Sequence, residues 1–228
     1  MSRSNDHDRE ITAMFDGIAR RYDLLNRVLS FGQDVSWRRR ALGRLVPGGS
    51  VLDVGAGTGD LALALSAAGA RPVVALDLAG GMLERARQRP GGERLEYVIA
   101  SAEALPFADA IFDAVVAGFA VRNFGDLARG ASEMRRVLRP GGRAVIVELS
   151  LPANRLVRGV HLVYLHLGAP VIARAFGSTP EAYRYLPASI ERFPDPERFA
   201  RVLREAGFAR VRFERLTFGV ATIHVGEA

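Results

Sequence analysis

The chain has 228 residues, 49% hydrophobic and 25% charged; these are the proportions of a folded globular protein, and they exclude a disordered or fibrous class. One substantial core is expected rather than two enzyme domains. The absence of cysteine excludes disulfides, a thiolate nucleophile and a zinc-thiolate site, and fits a reducing, cytoplasmic setting.

Net charge is +6 and every cation of the Lys+Arg total is an arginine. The densest groups, Arg38 to Arg40 and Arg135, Arg136 and Arg139, read as solvated helix faces, so nucleic acid is not the expected partner. Met1 to Glu10 is polar and charged and lacks the apolar stretch of a secretory signal. Apolar residues at Ile11, Phe15, Ile18 and Tyr22, then Leu25 and Leu29, then Trp37, Leu42 and Leu45 recur at helical spacing. They predict a helical cover over 9–46, with Gly32 separating two helices.

After Pro47-Gly48-Gly49, short apolar runs bounded by turn formers predict strands at 50–54, 72–77, 95–100, 114–119 and 143–148. Helices are predicted between them at 61–68, 82–88 and 127–138. Arg139-Pro140-Gly141-Gly142 is expected to stop the last helix and turn the chain. Residues 153–190 break this rhythm with an apolar helix-like segment, Pro170 and the polar aromatic stretch 180–185, and read as an inserted lid. Asp195 as N-cap, Pro196 at the first helical position and Gly207 past the end frame a closing helix. Strands at 211–216 and 220–225 then close the sheet as a hairpin. The expected fold is α/β, a doubly wound, seven-stranded, mostly parallel sheet. One domain is expected over 1–228, with 9–46 as cover, 50–150 as core, 153–190 as lid and 195–227 as closing helix and hairpin.

The candidate cofactor site is the loop Asp53-Val-Gly55-Ala-Gly57-Thr58-Gly59, between a buried strand and a helix. Glycines there let backbone approach a ligand closely. The dinucleotide fingerprint G-x-G-x-x-G has its third glycine one residue later, so the spacing points away from a nicotinamide cofactor without excluding one. Asp77 ends the second strand at the distance where an acidic side chain can accept both ribose hydroxyls; its plainer reading is a helix N-cap. The shorter G-x-G-x-G form with Asp53 and Asp77 resembles class I S-adenosylmethionine (SAM) methyltransferases. Ser101-Ala-Glu-Ala-Leu-Pro-Phe107 and Phe112-Asp113 resemble them too. That resemblance implies SAM bound by Asp53, Gly55, Gly57, Thr58, Gly59, Asp77, Leu78, Met82, Ser101, Ala102 and Gly118, with Ser101 and Ala102 bordering the adenine. An acidic or amide residue is commoner at the position of Ser101, which is otherwise a turn residue.

Tyr22-Asp-Leu-Leu-Asn-Arg-Val-Leu-Ser-Phe-Gly32 with Trp37, Phe119-Ala-Val-Arg122-Asn123, Arg136 to Gly142, Tyr183 to Pro187 and Leu216 to Gly219 resemble the UbiE/MenG family of quinone-ring C-methyltransferases. The chain departs from that pattern at Leu25, Gly118 and Ala120. The resemblance implies metal-free transfer of a methyl group from SAM to a ring carbon of a polyprenylated hydroquinone, with demethylmenaquinol the leading substrate. A ubiquinone-precursor ring, another small aromatic acceptor and a non-catalytic SAM-binding regulator are the alternatives. It places Arg122 and Asn123 beside the substrate and Tyr22 over it. Arg122 can stabilise a phenolate or orient a water but is too basic to act as the base. A salt bridge to Asp126 is its structural alternative, a core position that of Tyr22, and Glu148 can equally anchor a loop. His161 and His166 sit on an apolar helix-like segment, where structural pairing is the plainer reading. The segment 156–176 is interrupted by Arg158, His161, His166 and Arg174, so it should not span a membrane. It can cover the tail, rest peripherally on the inner face of the cell membrane, or be buried in the domain or in a homo-oligomer interface.

Overall fold

The computed structural model describes residues 12, 22–45, 48–175 and 180–228, without the side chains of 22, 173, 175 and 180–184. Two helices, α1 (Tyr22–Leu29) and α2 (Gln33–Leu42), precede the sheet. Gly32 stands between them in the left-handed conformation, φ 74°, as its place in the sequence predicts. The core follows as β1 (Val51–Val54), α3 (Asp60–Ala67), β2 (Val73–Asp77), α4 (Gly80–Arg87), β3 (Glu96–Ile99), β4 (Phe112–Gly118), α5 (Leu127–Arg136) and β5 (Leu138–Leu149).

The sheet has seven strands in the order β3-β2-β1-β4-β5-β7-β6, where β6 is Arg210–Leu216 and β7 is Ala221–Glu227. The first five pair in parallel and β7 runs antiparallel between β5 and β6. The expected hairpin therefore forms, with its second strand on the inside. Strand periodicity divides the core in two. Val51, Ala114, Val116, Val145 and Val147 pack with Trp37, Leu61 and Leu65. Leu52, Val54, Val115, Ala117 and Ile146 face Met134, Phe199 and Leu203 on the other side. Strands covered on both faces must be apolar at every position, which is why they read as continuous runs.

Two expectations change. Helix α5 stops at Arg136. Residues 139–142 are an excursion inside β5: Leu138 lies opposite Phe112, but the next partner of β4, Ala114, faces Arg143. The Pro-Gly-Gly run is thus a bulge rather than a turn before the strand. The inserted segment is helical in both described parts, as expected. Helix α6 (Arg155–Val163), capped by Asn154, passes through a wider π turn, Tyr164–Gly168, into α7 (Ala169–Ala175). The polar aromatic stretch belongs to α8 (Pro180–Arg192), which carries Pro187 internally. Helix α9 (Pro196–Glu205) starts as expected, with Asp195 accepting from Arg198 N–H and Pro196 in the first turn. Among the described residues no helix is long and apolar enough to cross a membrane.

Candidate active site

In a parallel sheet, ligand crevices open at the C-terminal strand ends where strand order reverses, here between β1 and β4. The loop after β1 has Gly55, Gly57 and Gly59 at φ 68°, 54° and 82°, a backbone only glycine takes without strain. At Gly55 size matters as well, since a Cβ would stand 2.3 Å from Cβ of Ala120 after β4. Asp77 fixes the loop. Its Oδ2 accepts from Gly57 N–H at 2.8 Å and its Oδ1 from Ala79 N–H at 2.9 Å, so the N-cap-like role and a place in the cleft coexist.

The cleft at the glycine loop is lined by Gly55, Gly57, Asp77, Leu78, Met82, Ser101, Ala102, Gly118 and Asn123, all flagged by the sequence, and by Glu103, Phe119 and Ala120. Ser101 keeps its turn function as well, Oγ accepting from Glu103 N–H at 3.3 Å. Glu103 holds the start of α5 by accepting from Gly125 and Asp126 N–H. Asp53 and Thr58 stand apart from this cleft in a small polar pocket beside it, shared with Gly55, Gly57, Gly118 and Arg38. Thr58 Oγ1 donates to Asp23 of α1 at 2.5 Å, so its hydroxyl clamps the helical cover to the loop. Gly59 lines neither space; a Cβ there would meet Ala86 Cβ at 3.0 Å, and its role is close helix packing.

Asp53 is 1% exposed. One oxygen accepts from Ala62 N–H at 3.0 Å and the other, Oδ1, has no partner among the described residues. Burial pushes its pKa up to about 7, against the opposing pull of the Ala62 N–H and Arg38. Arg38, read from sequence as part of a solvated face, is instead largely buried. Its guanidinium pairs with Asp34 at 2.6 Å and lies 4.7 Å from the ring centroid of Phe119. A positive charge and an unpaired carboxyl oxygen thus face one pocket at the glycine loop.

The turn Val121–Asn123 after β4 sends consecutive side chains to different spaces. Asn123 lines the cleft, whereas Arg122 lines a second, apolar cavity of about 410 Å³. The structural alternative, an Arg122–Asp126 pair, does not form; Asp126 caps α5 through Arg129 N–H. The partner is Glu148, at 2.8 Å, which also accepts from the Arg122 backbone N–H and from Leu149 N–H. Glu148 is the loop anchor its strand-end position suggested. Phe119, at φ 59°, borders both spaces. The apolar cavity runs between α1, α2 and the lid, past Leu29, Trp37, Val160, Tyr164 and Ile190. Tyr22 begins α1, but its side chain lies outside the described residues.

Among the described residues, two tyrosine hydroxyls tie the lid down. Tyr164 O–H donates to the Leu29 carbonyl at 2.7 Å, and Tyr185 O–H to Asn123 Oδ1 at 2.9 Å. On its outer side Leu156, Val163, Leu167 and Val171 fall at helical spacing, each more than half exposed, near exposed Arg155, Arg158 and Arg174.

The described fold resembles a solved SAM-dependent methyltransferase from Thermotoga maritima at a TM-score of 0.68, with 20% identity over 95% of this chain and 98% of that one. The sequence is 47% identical to demethylmenaquinone methyltransferase of Thermus thermophilus over 94% of this chain and 99% of that protein. It is 43% identical to the ubiquinone/menaquinone biosynthesis C-methyltransferase UbiE of Geobacter sulfurreducens, over 100% of this chain and 91% of that protein. The family model for ubiE/COQ5 methyltransferases matches residues 2–228. With a glycine-lined cleft at the sheet's switch point and this match along its length, the chain belongs to the ubiE/COQ5 methyltransferase family and is a SAM-dependent methyltransferase.

Proposed function

We propose that this chain methylates a ring carbon of a polyprenylated hydroquinone, with demethylmenaquinol as the acceptor. The observation that carries this reading is the junction at Phe119 of a glycine-lined cleft and an apolar cavity of about 410 Å³. A donor that is polar at both ends and an acceptor with an isoprenoid tail need that pairing of spaces.

Bound SAM supplies an electrophilic methyl group on a sulfonium. In this reading Asp77 accepts the ribose hydroxyls, and Leu78, Met82, Ser101 and Ala102 border the adenine. The small pocket takes the amino-acid end, with Arg38 at the carboxylate and the unpaired oxygen of Asp53 at the ammonium. Gly55 and Gly118 keep the cradle narrow enough for backbone contact. Arg122 stabilises negative charge on the quinol oxygen, held in place by Glu148, while Asn123 closes the site. Holding donor and acceptor in line supplies most of the rate enhancement. The exposed stripe of α6 and α7, with its flanking arginines, rests on the cytoplasmic face of the membrane, where such a substrate resides.

The test is methyl transfer by the purified chain to demethylmenaquinol and, side by side, to a methoxy-polyprenyl benzoquinol. Preferred turnover of the first supports the reading, and preference for the second moves the chain to the ubiquinone route. Transfer to neither defeats the reading. For the membrane contact, Val163→Glu with Leu167→Glu should abolish flotation with anionic liposomes; unchanged flotation counts against it.

A further inference from the structure

We propose that His161 is the proton acceptor for the quinol hydroxyl, an assignment that rests on the quinol reading of the apolar cavity and deepens it. The residues lining that cavity include four titratable side chains, Asp34, Arg122, His161 and Tyr164. Three are committed. Asp34 accepts from Ser30 O–H and pairs with Arg38. Arg122 is a cation held by Glu148. Tyr164 donates its hydroxyl to Leu29, and burial pushes its pKa up.

His161 differs. Its Nε2 is buried and has no hydrogen-bond partner among the described residues, although polar atoms buried this way are almost always paired. The ring is stacked on Tyr164, centroids 6.5 Å apart and planes 25° from parallel. Tyr164 is itself pinned to α1, so the imidazole is held by packing rather than by a polar partner. The other lid histidine behaves as structural pairing predicts, His166 facing Glu191 at 2.6 Å on the exposed side. His161 lines the substrate-sized apolar space with a ring nitrogen that no described protein group claims, and a turn of the half-buried imidazole about its Cβ–Cγ bond presents that nitrogen to a ligand hydroxyl.

Burial also lowers the His161 pKa, and no charged group contributes to that shift. The charged groups lining the same cavity are Asp34 on α2 and Arg122 beyond β4, and its own helix carries Arg155 and Arg158, the latter donating its Nε–H to the Pro152 carbonyl. The imidazole is therefore neutral near pH 7, the form that accepts a proton. The quinol O–H proton passes to Nε2, and the oxygen's charge enriches the ring carbon, next to the Arg122 cation. The carbon forms its bond to the methyl group as the sulfur–methyl bond breaks, with that electron pair staying on sulfur. The ring C–H proton then leaves to water, and the proton on His161 returns to the oxygen, so one proton is released per methyl transferred.

The experiment is a pH profile of kcat for demethylmenaquinol with the full chain, paired with SAM affinity and an NMR titration of the His161 ring. The wild type should rise along an acid limb below pH 6.5 that coincides with the His161 titration. His161→Gln should lose that limb and about 100-fold in kcat at pH 7, a typical general-base contribution, with SAM affinity within twofold. In His161→Ala, added imidazole should restore turnover, which a packing role would not allow. Retention of the limb in His161→Gln, or no response of His161→Ala to imidazole while the wild type is active, overturns the assignment alone. A wild type that methylates no quinol overturns the substrate reading and this assignment with it.

Discussion

Tyr185 donates its hydroxyl to Asn123 Oδ1 at 2.9 Å, joining the lid helix α8 to the turn that borders both cavities. Tyr185 is half-buried and burial pushes its pKa up, so the proton stays on the oxygen and the bond is a neutral one. Such a bond contributes about 1 kcal/mol, enough to bias a lid but not to hold the fold. Tyr185→Phe should raise amide exchange across 180–192 and raise KM for the quinol several-fold, with SAM affinity unchanged. Exchange identical to the parent would show that the bond does not restrain the lid.

Arg122 and Glu148 are 6% and 1% exposed, so removing one leaves a buried charge. Arg122→Ala should cost about 3 to 5 kcal/mol of stability in addition to turnover, and turnover alone cannot assign its role. Replacing both as Arg122→Met with Glu148→Leu should recover most of the stability in denaturant unfolding while activity stays lost. A double variant that regains activity would mean the pair serves only the fold.

The sequence carried the sheet because parallel strands buried on both faces leave continuous apolar runs, and it carried the loop because three left-handed glycines in five residues have few other uses. Contacts made across the fold were not legible. Local spacing pairs Arg122 with Asp126, but Asp126 is needed at the helix start and Glu148 lies 26 residues away. Arg38 was lost in an arginine run. Its position beside Trp37, on the face shared with Asp34 and Ala41 at i, i+3, i+4 and i+7, was the available signal, since all three of those neighbours are buried. In the sequence, residues 180–190 read as part of the inserted segment without element bounds; the helix there runs to Arg192 and carries Pro187, normally a helix breaker, buried inside it.

Asp77 and Arg38 should separate the two ends of the cofactor. Asp77→Ala removes the acceptor of Gly57 N–H and loosens the loop itself, so both SAM and its demethylated product should bind at least tenfold more weakly. Arg38→Met keeps the packing against Phe119 but removes the cation from the small pocket. It should weaken SAM by about tenfold, as loss of a charge-assisted bond does, while 5′-methylthioadenosine, which lacks the amino acid, binds as before. Calorimetry giving equal losses for both ligands in Arg38→Met would remove Arg38 from the carboxylate.

Asp53 gives a pH dependence with a definite sign. Its folded-state pKa is about 7 against an ordinary 3.8, raised chiefly by burial. Between those values the folded chain keeps a proton that the unfolded chain has released, so this group lowers stability as pH rises across the window. Asp53→Asn removes the titration. Its unfolding free energy relative to the parent should shift in its favour by on the order of 2 to 4 kcal/mol from pH 4 to pH 8. The ionised carboxylate is also what attracts an ammonium, so the parent's SAM affinity should rise with pH through about 7 while that of Asp53→Asn stays flat. Parallel stability profiles for the two proteins would mean Asp53 is ionised throughout, and its unpaired oxygen would then need a partner other than the cofactor.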